Sequence, residues 1–348
     1  MISKFKNVMK RIGQNIDIRI KNFGNEKNNK YGEIVILNTA LNSDNLGDEI
    51  IFYYYSKAIK DVISPNTLYN VATHNYPNNL DIEKLLNSKY SILIGTNILS
   101  PQMELYSGWK FNNKLIKMRN VVLVGVGCWG YKKPSIYSKY VYRNILSKEI
   151  IHSVRDNQTM LFLKSMGINN VINTNCLTML GLDEISKNIP CKKADNVIFT
   201  LTGVMNRKKY DKQMIEILRK NYKKLYFWPQ GDIDLKYLND IQENHDINIL
   251  EQTFEAYTNF LKNNNNFDYV GTRLHGGIHA MQNGYRSIII AIDNRAVEIS
   301  KDTNLPIIKD SEINTKLTDM ITSEWVTKIK LNNSEIEKWK SSFRNILK

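Results

Sequence analysis

Short apolar runs alternate with segments of helical length along most of the chain, and this alternation constrains the fold more than any other feature. The apolar runs predict strands at 33–38, 67–72, 91–95, 121–125 and 150–154, and again at 197–201, 224–228, 247–250, 268–271 and 287–292. Strands separated by helices are typical of parallel sheets that helices cover on both faces. The sequence therefore predicts an α/β fold with two Rossmann-like, doubly wound lobes that face a cleft.

The length of 348 residues exceeds the size at which one hydrophobic core usually stops growing, which favours two domains. A polar stretch at 183–196 separates the two series of strands. We therefore predict a basic N-terminal segment at 1–30, an N-terminal lobe at 31–188 and a C-terminal lobe at 189–312. A helical segment at 313–348 follows, because Ile336, Trp339, Phe343 and Ile346 recur at helical spacing.

Composition favours a cytoplasmic protein without a secretory signal. No stretch approaches the run of about 20 apolar residues that spans a bilayer, and the N-terminus lacks a small-residue cleavage site. The three cysteines lack metal-ligand spacing, so we expect reduced thiols and no metal.

The formal net charge is +14, and residues 1–30 contribute eight Lys or Arg against Asp17 and Glu26, 8 − 2 = +6. The remaining charge looks thinly spread along the sequence, which argues against a nucleic-acid partner. Ile2, Phe5, Val8, Met9 and Ile12 recur near helical spacing. The first residues therefore form either a helix that contacts the inner face of a membrane or a helix that is solvated or docked.

Polar turns follow several predicted strands, and ligands of parallel sheets bind beyond the carboxyl ends of the strands. The first turn contains Asn45, Gly47 and Asp48; Gly47 allows close backbone approach, and the alternative for Asp48 is a plain helix cap. In the second, Arg155 ends a strand, where its planar guanidinium suits a carboxylate or a phosphate. A surface ion pair with Asp156 is the alternative.

The strongest candidate is the segment from Asp268 to Gly277, in which a strand ends at Gly271 and a helix begins at once. Arg273 and His275 fall at the first turn of that helix, where free N–H groups favour an anion and a histidine can shuttle a proton. Gln230 lies in the polar loop 228–232, which we expect to form a wall of the cleft, and Arg295 is a further candidate anion contact.

The run from Gly125 to Gly130 has the spacing of a dinucleotide fingerprint but is not expected to bind one. It follows about the fourth strand of its lobe, and Tyr131 to Pro134 interrupt any immediate helix. A tight turn is expected there instead. The sequence contains no P-loop and no Gly-x-Ser-x-Gly motif.

Three of these segments together resemble the polysaccharide pyruvyl transferase family over roughly 34–299. They are the turn 45–48, the strand end 153–156 and, most distinctively, Arg-Leu-His-Gly at 273–276. The resemblance implies two lobes arranged as in the GT-B glycosyltransferase fold. It also implies transfer of pyruvate from phosphoenolpyruvate to a sugar, as a cyclic ketal, in capsule or exopolysaccharide biosynthesis.

The resemblance assigns His275 as the acid or base, with Arg273 beside it in the catalytic pair, and Arg155 and Arg273 as the cations that bind the donor. The residues expected to contact substrate are Asn45, Gly47, Asp48, Arg155, Gln230, Gly271, Leu274, Gly276 and Arg295. The acceptor would be a sugar or a lipid-linked oligosaccharide. No cofactor is expected, because each step is proton transfer or charge stabilisation.

Two other functions are compatible with the same residues. In a nucleotide-sugar-dependent glycosyltransferase of the same architecture, Arg273 and Arg295 would hold a diphosphate. In a non-enzymatic anion- or membrane-binding protein, residues 1–30 would dominate binding.

Overall fold

A computed structural model describes residues 34–59, 68–205, 207–241 and 245–347. Their contacts form two compact units. Among the described residues, unit 1 contains 34–43, 55–59, 68–177 and 332–347, and unit 2 contains 44–54 and 178–331 with its two gaps. The first long stretch of unit 1 ends at Leu177, whereas the sequence predicted a boundary between 188 and 189. The predicted basic segment 1–30 lies outside the described residues.

Unit 1 is built on a parallel sheet of four strands in the order β2-β1-β3-β4. A parallel pair, β5-β6, lies beside β4, and a parallel bridge joins Val154 of β5 to Val126, just after β4. The strands are β1 (Ile34–Asn38), β2 (Leu68–Ala72), β3 (Tyr90–Ile94), β4 (Val121–Val124), β5 (His152–Val154) and β6 (Val171–Asn173). The helices are the second part of α1 (Leu46–Ile59), α2 (Asn79–Asn87), α3 (Ile136–Ile145), α4 (Asn157–Lys164) and α12 (Asn333–Leu347). Helix α1 is divided between the units, because 46–54 belong to unit 2 and 55–59 belong to unit 1.

Unit 2 is built on a parallel sheet of six strands in the order β12-β11-β10-β7-β8-β9. The strands are β7 (Asn196–Thr200), β8 (Lys224–Phe227), β9 (Ile247–Ile249), β10 (Phe267–Gly271), β11 (Ser287–Ala291) and β12 (Ile307–Lys309). The helices are α5 (Leu182–Ile185), α6 (Lys208–Asn221), α7 (Asp234–Ile241), α8 (Phe254–Asn263), α9 (Leu274–Gln282), α10 (Asn294–Thr303) and α11 (Ile313–Thr322).

The α/β fold class with parallel sheets is confirmed. Strands β10 and β11 are buried along their whole length, as expected of central strands that helices cover on both faces. Every predicted strand is present, with ends shifted by no more than two residues. None of the described helices combines the length and apolar character needed to cross a bilayer.

The C-terminal segment differs from the single helical stretch predicted at 313–348. It forms two helices, of which α11 packs on α6 in unit 2 and α12 packs on β6 in unit 1. Trp339, Phe343 and Ile336 of α12 are almost fully buried. At the start of α12, the backbone N–H of Asn332 donates to Asn175 Oδ1 at 2.7 Å, which fixes the entry of the chain into unit 1.

Candidate functional site

The strand order of unit 2 reverses between β7 and β10. The chain runs outward from β7 to β8 and β9, and then returns to place β10 on the other side of β7. In open parallel sheets, ligands bind at such a reversal, beyond the carboxyl ends of the strands. The segments that leave these two ends begin at Leu201 and Thr272. The predicted site residues Gly271 to Gly276 therefore lie at the switch point of this sheet.

Gly271 is required by the closeness of β7 and β10. A Cβ added to Gly271 would lie 2.7 Å from the backbone nitrogen of Thr200 and 2.9 Å from its carbonyl oxygen. The segment beyond the strand is fixed by hydrogen bonds, since the N–H of Thr272 donates to the carbonyl oxygen of Thr200 at 3.2 Å. The hydroxyls of Thr202 and Thr272 are 2.8 Å apart. Gly271 thus shapes the site, and the hydroxyls beside it belong to threonines that the sequence did not single out.

Helix α9 begins immediately beyond this point. Arg273 is its N-cap, and Leu274, His275 and Gly276 form its first turn. Burial raises the pKa of Tyr269 well above its ordinary value, so its hydroxyl stays protonated and donates to the carbonyl oxygen of Arg273 at 2.8 Å. The helix can approach the sheet closely because Gly277, its fourth residue, faces Tyr269 and Ile289, and a Cβ there would meet both side chains within 3 Å.

His275 is 4% exposed and lies in this first turn, where the helix dipole and the backbone N–H groups of a helix start favour a negatively charged ligand. His279, one turn further along α9, is held at both ring nitrogens: Tyr54 Oη lies 2.9 Å from Nδ1, and Thr258 Oγ1 lies 3.1 Å from Nε2. His279 is therefore fixed by contacts with α1 and α8.

Arg273 is bound to protein groups on three sides. Its Nη2 lies 2.7 and 2.6 Å from the two carboxylate oxygens of Asp234, and its Nε donates to the carbonyl oxygen of Leu201 at 2.9 Å. Its Nη1 donates to Asn45 Oδ1 at 3.3 Å. The side chain is 12% exposed. The predicted donor-binding arginine is therefore a fixed cation whose charge a buried aspartate already balances.

Asp234 is fully buried at the start of α7 and organises the loop that precedes it. Besides Arg273, its carboxylate accepts the backbone N–H groups of Gly203, Gln230 and Gly231 at 2.9 to 3.1 Å. Carboxylates with several charge-assisted bonds of this kind are strongly held. Sequence reasoning missed Asp234, and the available signal was an acid four residues after Gln230, at the start of a helix.

Asn45 connects the turn 44–48 to the loop after β8. Its Oδ1 accepts the Gln230 side-chain amide at 2.9 Å and the backbone N–H of Gly47 at 3.2 Å, in addition to the Arg273 bond. The backbone reinforces this link, because the N–H of Leu46 donates to the carbonyl oxygen of Gln230 at 3.0 Å. Three predicted residues from distant parts of the sequence thus meet in one network within unit 2.

Gln230 lies between two predicted glycines. A Cβ on Gly47 would lie 2.6 Å from Gln230 Nε2, and a Cβ on Gly276 would lie 3.1 Å from Gln230 Oε1. Both glycines therefore leave room for this side chain. Gln230 is 2% exposed, and its Oε1 is a buried acceptor without a hydrogen-bond partner among the described residues.

Asp48 and Arg295 are placed less centrally. Asp48 is 5% exposed near the start of α1, and its N–H donates to the carbonyl oxygen of Asn45. Arg295 lies in the first turn of α10, after β11, and pairs with Asp293 Oδ2 at 2.6 Å. Because β11 neighbours β10, Arg295 lies at the same edge of the sheet as His275.

Arg155 belongs to unit 1, where it follows β5 and is 1% exposed. Its Nη2 donates to Asn97 Oδ1 at 2.6 Å and its Nε to Asp156 Oδ2 at 3.2 Å, whereas Nη1 is buried without a hydrogen-bond partner among the described residues. The pair with Asp156 is therefore buried, unlike the surface pair that was the alternative. Asn97, which sequence reasoning missed, also has a buried amide nitrogen without such a partner.

The run from Gly125 to Gly130 forms a turn that Arg155 occupies. Gly125 has a φ of +63°, and a Cβ on Gly127 would lie 2.2 Å from Arg155 Nε. The space that a pyrophosphate needs at a dinucleotide fingerprint is filled here by a guanidinium. Within the described residues, no group of His, Cys, Asp and Glu side chains is arranged to hold a metal ion.

Solved structures with a similar chain trace have low sequence identity to this protein. The UDP-GlcNAc 2-epimerase of Methanocaldococcus jannaschii, in complex with UDP-GlcNAc and UDP, is 13% identical with a TM-score of 0.49, over 88% of this chain and 97% of that one. MnaA of S. aureus, in a structure with UDP, is 12% identical with a TM-score of 0.44, over 90% of each chain. The wall teichoic acid polymerase TagF is 10% identical with a TM-score of 0.39, over 99% of this chain and 92% of that one. Similarity at this level carries no information on substrate.

No match is found among curated protein sequences. A family model described as polysaccharide pyruvyl transferase, in contrast, matches residues 45–294. The match begins at Asn45, contains Arg155, Gln230 and the whole of 271–276, and covers most of the chain. On this match, the chain belongs to the polysaccharide pyruvyl transferase family.

Proposed function

We propose that the protein transfers pyruvate from phosphoenolpyruvate to a sugar of a capsular polysaccharide or exopolysaccharide, or to its lipid-linked precursor, as a cyclic ketal. One observation carries the proposal. A buried histidine, His275, lies in the first turn of a helix at the switch point of the unit 2 sheet, inside the segment that the family model matches. That position combines a proton carrier with helix N–H groups that favour an anion.

The reaction needs a proton first. In the proposal, protonated His275 gives its proton to the methylene carbon of phosphoenolpyruvate, which makes C2 electrophilic. A sugar hydroxyl attacks C2 and loses its proton to a base, and the C–O bond to the phosphate then breaks. A neighbouring hydroxyl of the same sugar attacks C2, gives its proton to the neutral His275 and closes the ketal. The proton of the first hydroxyl leaves with the phosphate, so the products are the pyruvylated sugar and hydrogen phosphate. No metal or organic cofactor is needed for this sequence.

The donor is a compact anion with a carboxylate and a phosphate. We assign its binding in unit 2 to the first-turn N–H groups of α9, around Leu274 and Gly276, with the Arg273 side chain as a fixed cation. The Asp234 contact supports a positioning role for Arg273, because it holds the guanidinium rigidly while balancing its charge. Arg295 is a further proposed anion contact, and Asp48 and Gly271 shape the same edge.

We propose Arg155 as a further donor-binding residue. The observations that support this role all concern residues of unit 1. Its buried Nη1 and the buried Asn97 amide nitrogen are donors without hydrogen-bond partners among the described residues. Burying such donors unpaired is costly, so an anion that accepts from them would be bound favourably. For Gln230, the buried Oε1 supports a role as acceptor for a substrate hydroxyl.

The experiment compares two histidine substitutions on one helix. Phosphate release from phosphoenolpyruvate is measured with a panel of saccharides that carry suitably spaced hydroxyl pairs, for the wild type, His275→Gln and His279→Gln. We expect His275→Gln to lose at least about a hundredfold in kcat, as removal of a general acid does. His279→Gln removes a histidine that is tied to Tyr54 and Thr258, so it should keep kcat within a few-fold. Equal activity of the two variants would contradict the role of His275.

A further inference from the structure

Unit 1 exposes a cluster of large apolar side chains that the pyruvyl transfer chemistry does not use. The side chains belong to the loops after β2, β3 and β4, and to the first residue of α3. Their exposed fractions are 91% for Ile136, 63% for Tyr76, 62% for Tyr131, 54% for Tyr106, 53% for Leu105 and 41% for Trp129. We call these six residues the aromatic patch.

Contacts bring four of the six side chains together, those of Tyr76, Leu105, Tyr106 and Trp129. The rings of Tyr106 and Trp129 lie 5.8 Å apart between centroids. Tyr76, Leu105 and Tyr106 line one cavity of about 180 Å³. The loop after β4 is tied to the loop after β3 because the N–H of Ser135 donates to the carbonyl oxygen of Pro101 at 2.8 Å. Tyr76, Leu105, Tyr106 and Trp129 therefore form one surface, and Tyr131 and Ile136 lie in the chain segment 129–136 that is tied to it. Contiguous exposed apolar surfaces of this kind mark interaction sites.

Lysines flank the patch. Lys110 lines the cavity with Tyr76, Lys132 Nζ lies 3.4 Å from Gln102 Oε1 in the loop after β3, and Lys133 is its neighbour in sequence. The segment 104–139 as a whole carries seven Lys or Arg and one acid, Glu104, so its net charge is 7 − 1 = +6. Glu104 accepts hydrogen bonds from Ser135 and Ser138. This corrects the expectation that positive charge outside residues 1–30 is thinly spread.

We propose that the aromatic patch docks on the surface of an anionic lipid bilayer. Trp and Tyr favour the headgroup level of a membrane, aliphatic side chains such as Ile136 and Leu105 enter the acyl boundary, and flanking lysines bind anionic headgroups. A protein partner fits less well, because protein interfaces are depleted in lysine. The patch contains none of residues 1–30, and the proposal concerns where the protein works, so it stands whichever donor the enzyme uses.

The test is co-sedimentation of the full chain with vesicles. Neutral phosphatidylcholine vesicles are compared with vesicles that also contain phosphatidylglycerol, for the wild type and for two variants. One is the triple variant Trp129→Ser, Tyr131→Ser, Ile136→Ser, and the other is Lys132→Ala, Lys133→Ala. We expect the wild type to prefer the anionic vesicles and each variant to bind them at least about tenfold more weakly. For the lysine variant, two contributions of roughly a factor of five each predict a loss of about 25-fold.

The control removes exposed apolar side chains elsewhere. Leu161, Val204 and Val326 are 56%, 74% and 59% exposed and lie outside the patch, so a triple serine variant at these positions should bind vesicles like the wild type. Tryptophan fluorescence gives a second readout, because Trp109, Trp228 and Trp339 are at most 3% exposed whereas Trp129 is 41% exposed. The fifth tryptophan, Trp325, is half-buried in unit 2 with the Arg286 guanidinium over its ring, so it lies outside the patch. Anionic vesicles should shift the emission to the blue, and Trp129→Phe should abolish most of that shift.

Three results would overturn the proposal. Binding that the patch variants retain in full would assign membrane contact to another part of the chain. Equal binding to neutral and anionic vesicles would remove the role of the lysines. Self-association or oligonucleotide binding that depends on the patch, without vesicle binding, would assign the surface to another partner. None of these results bears on phosphate release from phosphoenolpyruvate, so the proposed function is tested separately.

Discussion

At the scale of single residues, the Asp234 carboxylate fixes the orientation of the Arg273 side chain. The carboxylate binds Arg273 through both oxygens and also receives three backbone N–H groups from two loops. Buried ion pairs are costly to break on one side, because the remaining charge is left without compensation. The pair therefore fixes both the arginine and the loop that carries Gln230.

Asp234→Asn should lower the free energy of unfolding by about 3 kcal/mol, since it leaves the Arg273 charge uncompensated in a buried position. Asp246→Asn is the matched control. Asp246 pairs with Arg219 at the surface, where the two side chains are 52% and 32% exposed, so its loss should cost less than about 1 kcal/mol. Urea denaturation followed by circular dichroism measures both. If both variants lose a similar free energy of unfolding, the Arg273–Asp234 contact does not act as a buried ion pair.

His152 predicts an acid-sensitive step in stability. It is fully buried in unit 1, where its Nδ1 accepts the backbone N–H of Leu123 at 3.2 Å and its Nε2 donates to the carbonyl oxygen of Ser147 at 2.9 Å. Burial lowers the pKa of His152 from 6.5 to about 4. Between these values the unfolded chain takes up a proton and the folded chain does not, so stability falls as pH falls.

The expected loss is about 3 kcal/mol between pH 6.5 and 4, measured as the free energy of unfolding in urea at a series of pH values. His152→Gln should reduce the slope in this window, whatever its effect on stability at pH 7. An unchanged slope in the variant would assign the acid sensitivity to other groups.

The sequence predicted many side chains of the candidate site, but it did not predict the residues to which those side chains are hydrogen-bonded. Asn45, Gln230, Arg273 and the glycines follow strands, and that position predicts a place at the carboxyl edge of a sheet. The position of Asp234 at a helix start was a local signal, but its contact with Arg273 spans 39 residues and that of Asn97 with Arg155 spans 58, and no local pattern marks such contacts. For the same reason, the sequence did not predict that Arg273 is balanced by an aspartate.

At the scale of elements, the strands were predictable because most are apolar runs bounded by turns. The exceptions are β6 (Val171–Asn173) and β12 (Ile307–Lys309), which have three residues each. Strands β5 and β9 are equally short but were predicted, because they lie within the longer runs 150–154 and 247–250. Runs this short carry no periodicity. The break between α11 and α12 was missed, although 323–332 lacks the apolar spacing seen on either side.

Helix α12 should contribute strongly to unit 1. Trp339 is 1% exposed, so Trp339→Ala should lower the free energy of unfolding by about 3 to 5 kcal/mol, whereas Lys338→Ala on the exposed face should change it by less than about 0.5 kcal/mol. Hydrogen exchange locates the effect. Because α12 packs on β6, amides of β5 and β6 should lose protection before those of β7 and β10. A loss centred on unit 2 would contradict this placement.

At the scale of the whole molecule, sequence order and compact units do not coincide. Residues 44–54 belong to unit 2 although the strand before them belongs to unit 1, and 332–347 belong to unit 1 although the helix before them belongs to unit 2. Periodicity predicts elements and not the unit in which each one packs, so the domain ranges predicted from the sequence differ from the compact units. The family was accessible from the sequence, because its motifs are short and local.

The most direct test of the account is whether the folded chain binds phosphoenolpyruvate. Melting temperatures of the full chain are compared with phosphoenolpyruvate, inorganic phosphate, and uridine and cytidine diphosphate sugars at equal ionic strength. A ligand at a hundred times its Kd stabilises the folded state by about 2.7 kcal/mol, which is a clear rise in Tm. The account predicts that rise with phosphoenolpyruvate, beyond any effect of phosphate. A rise with nucleotide sugars alone, and none with phosphoenolpyruvate, would contradict it.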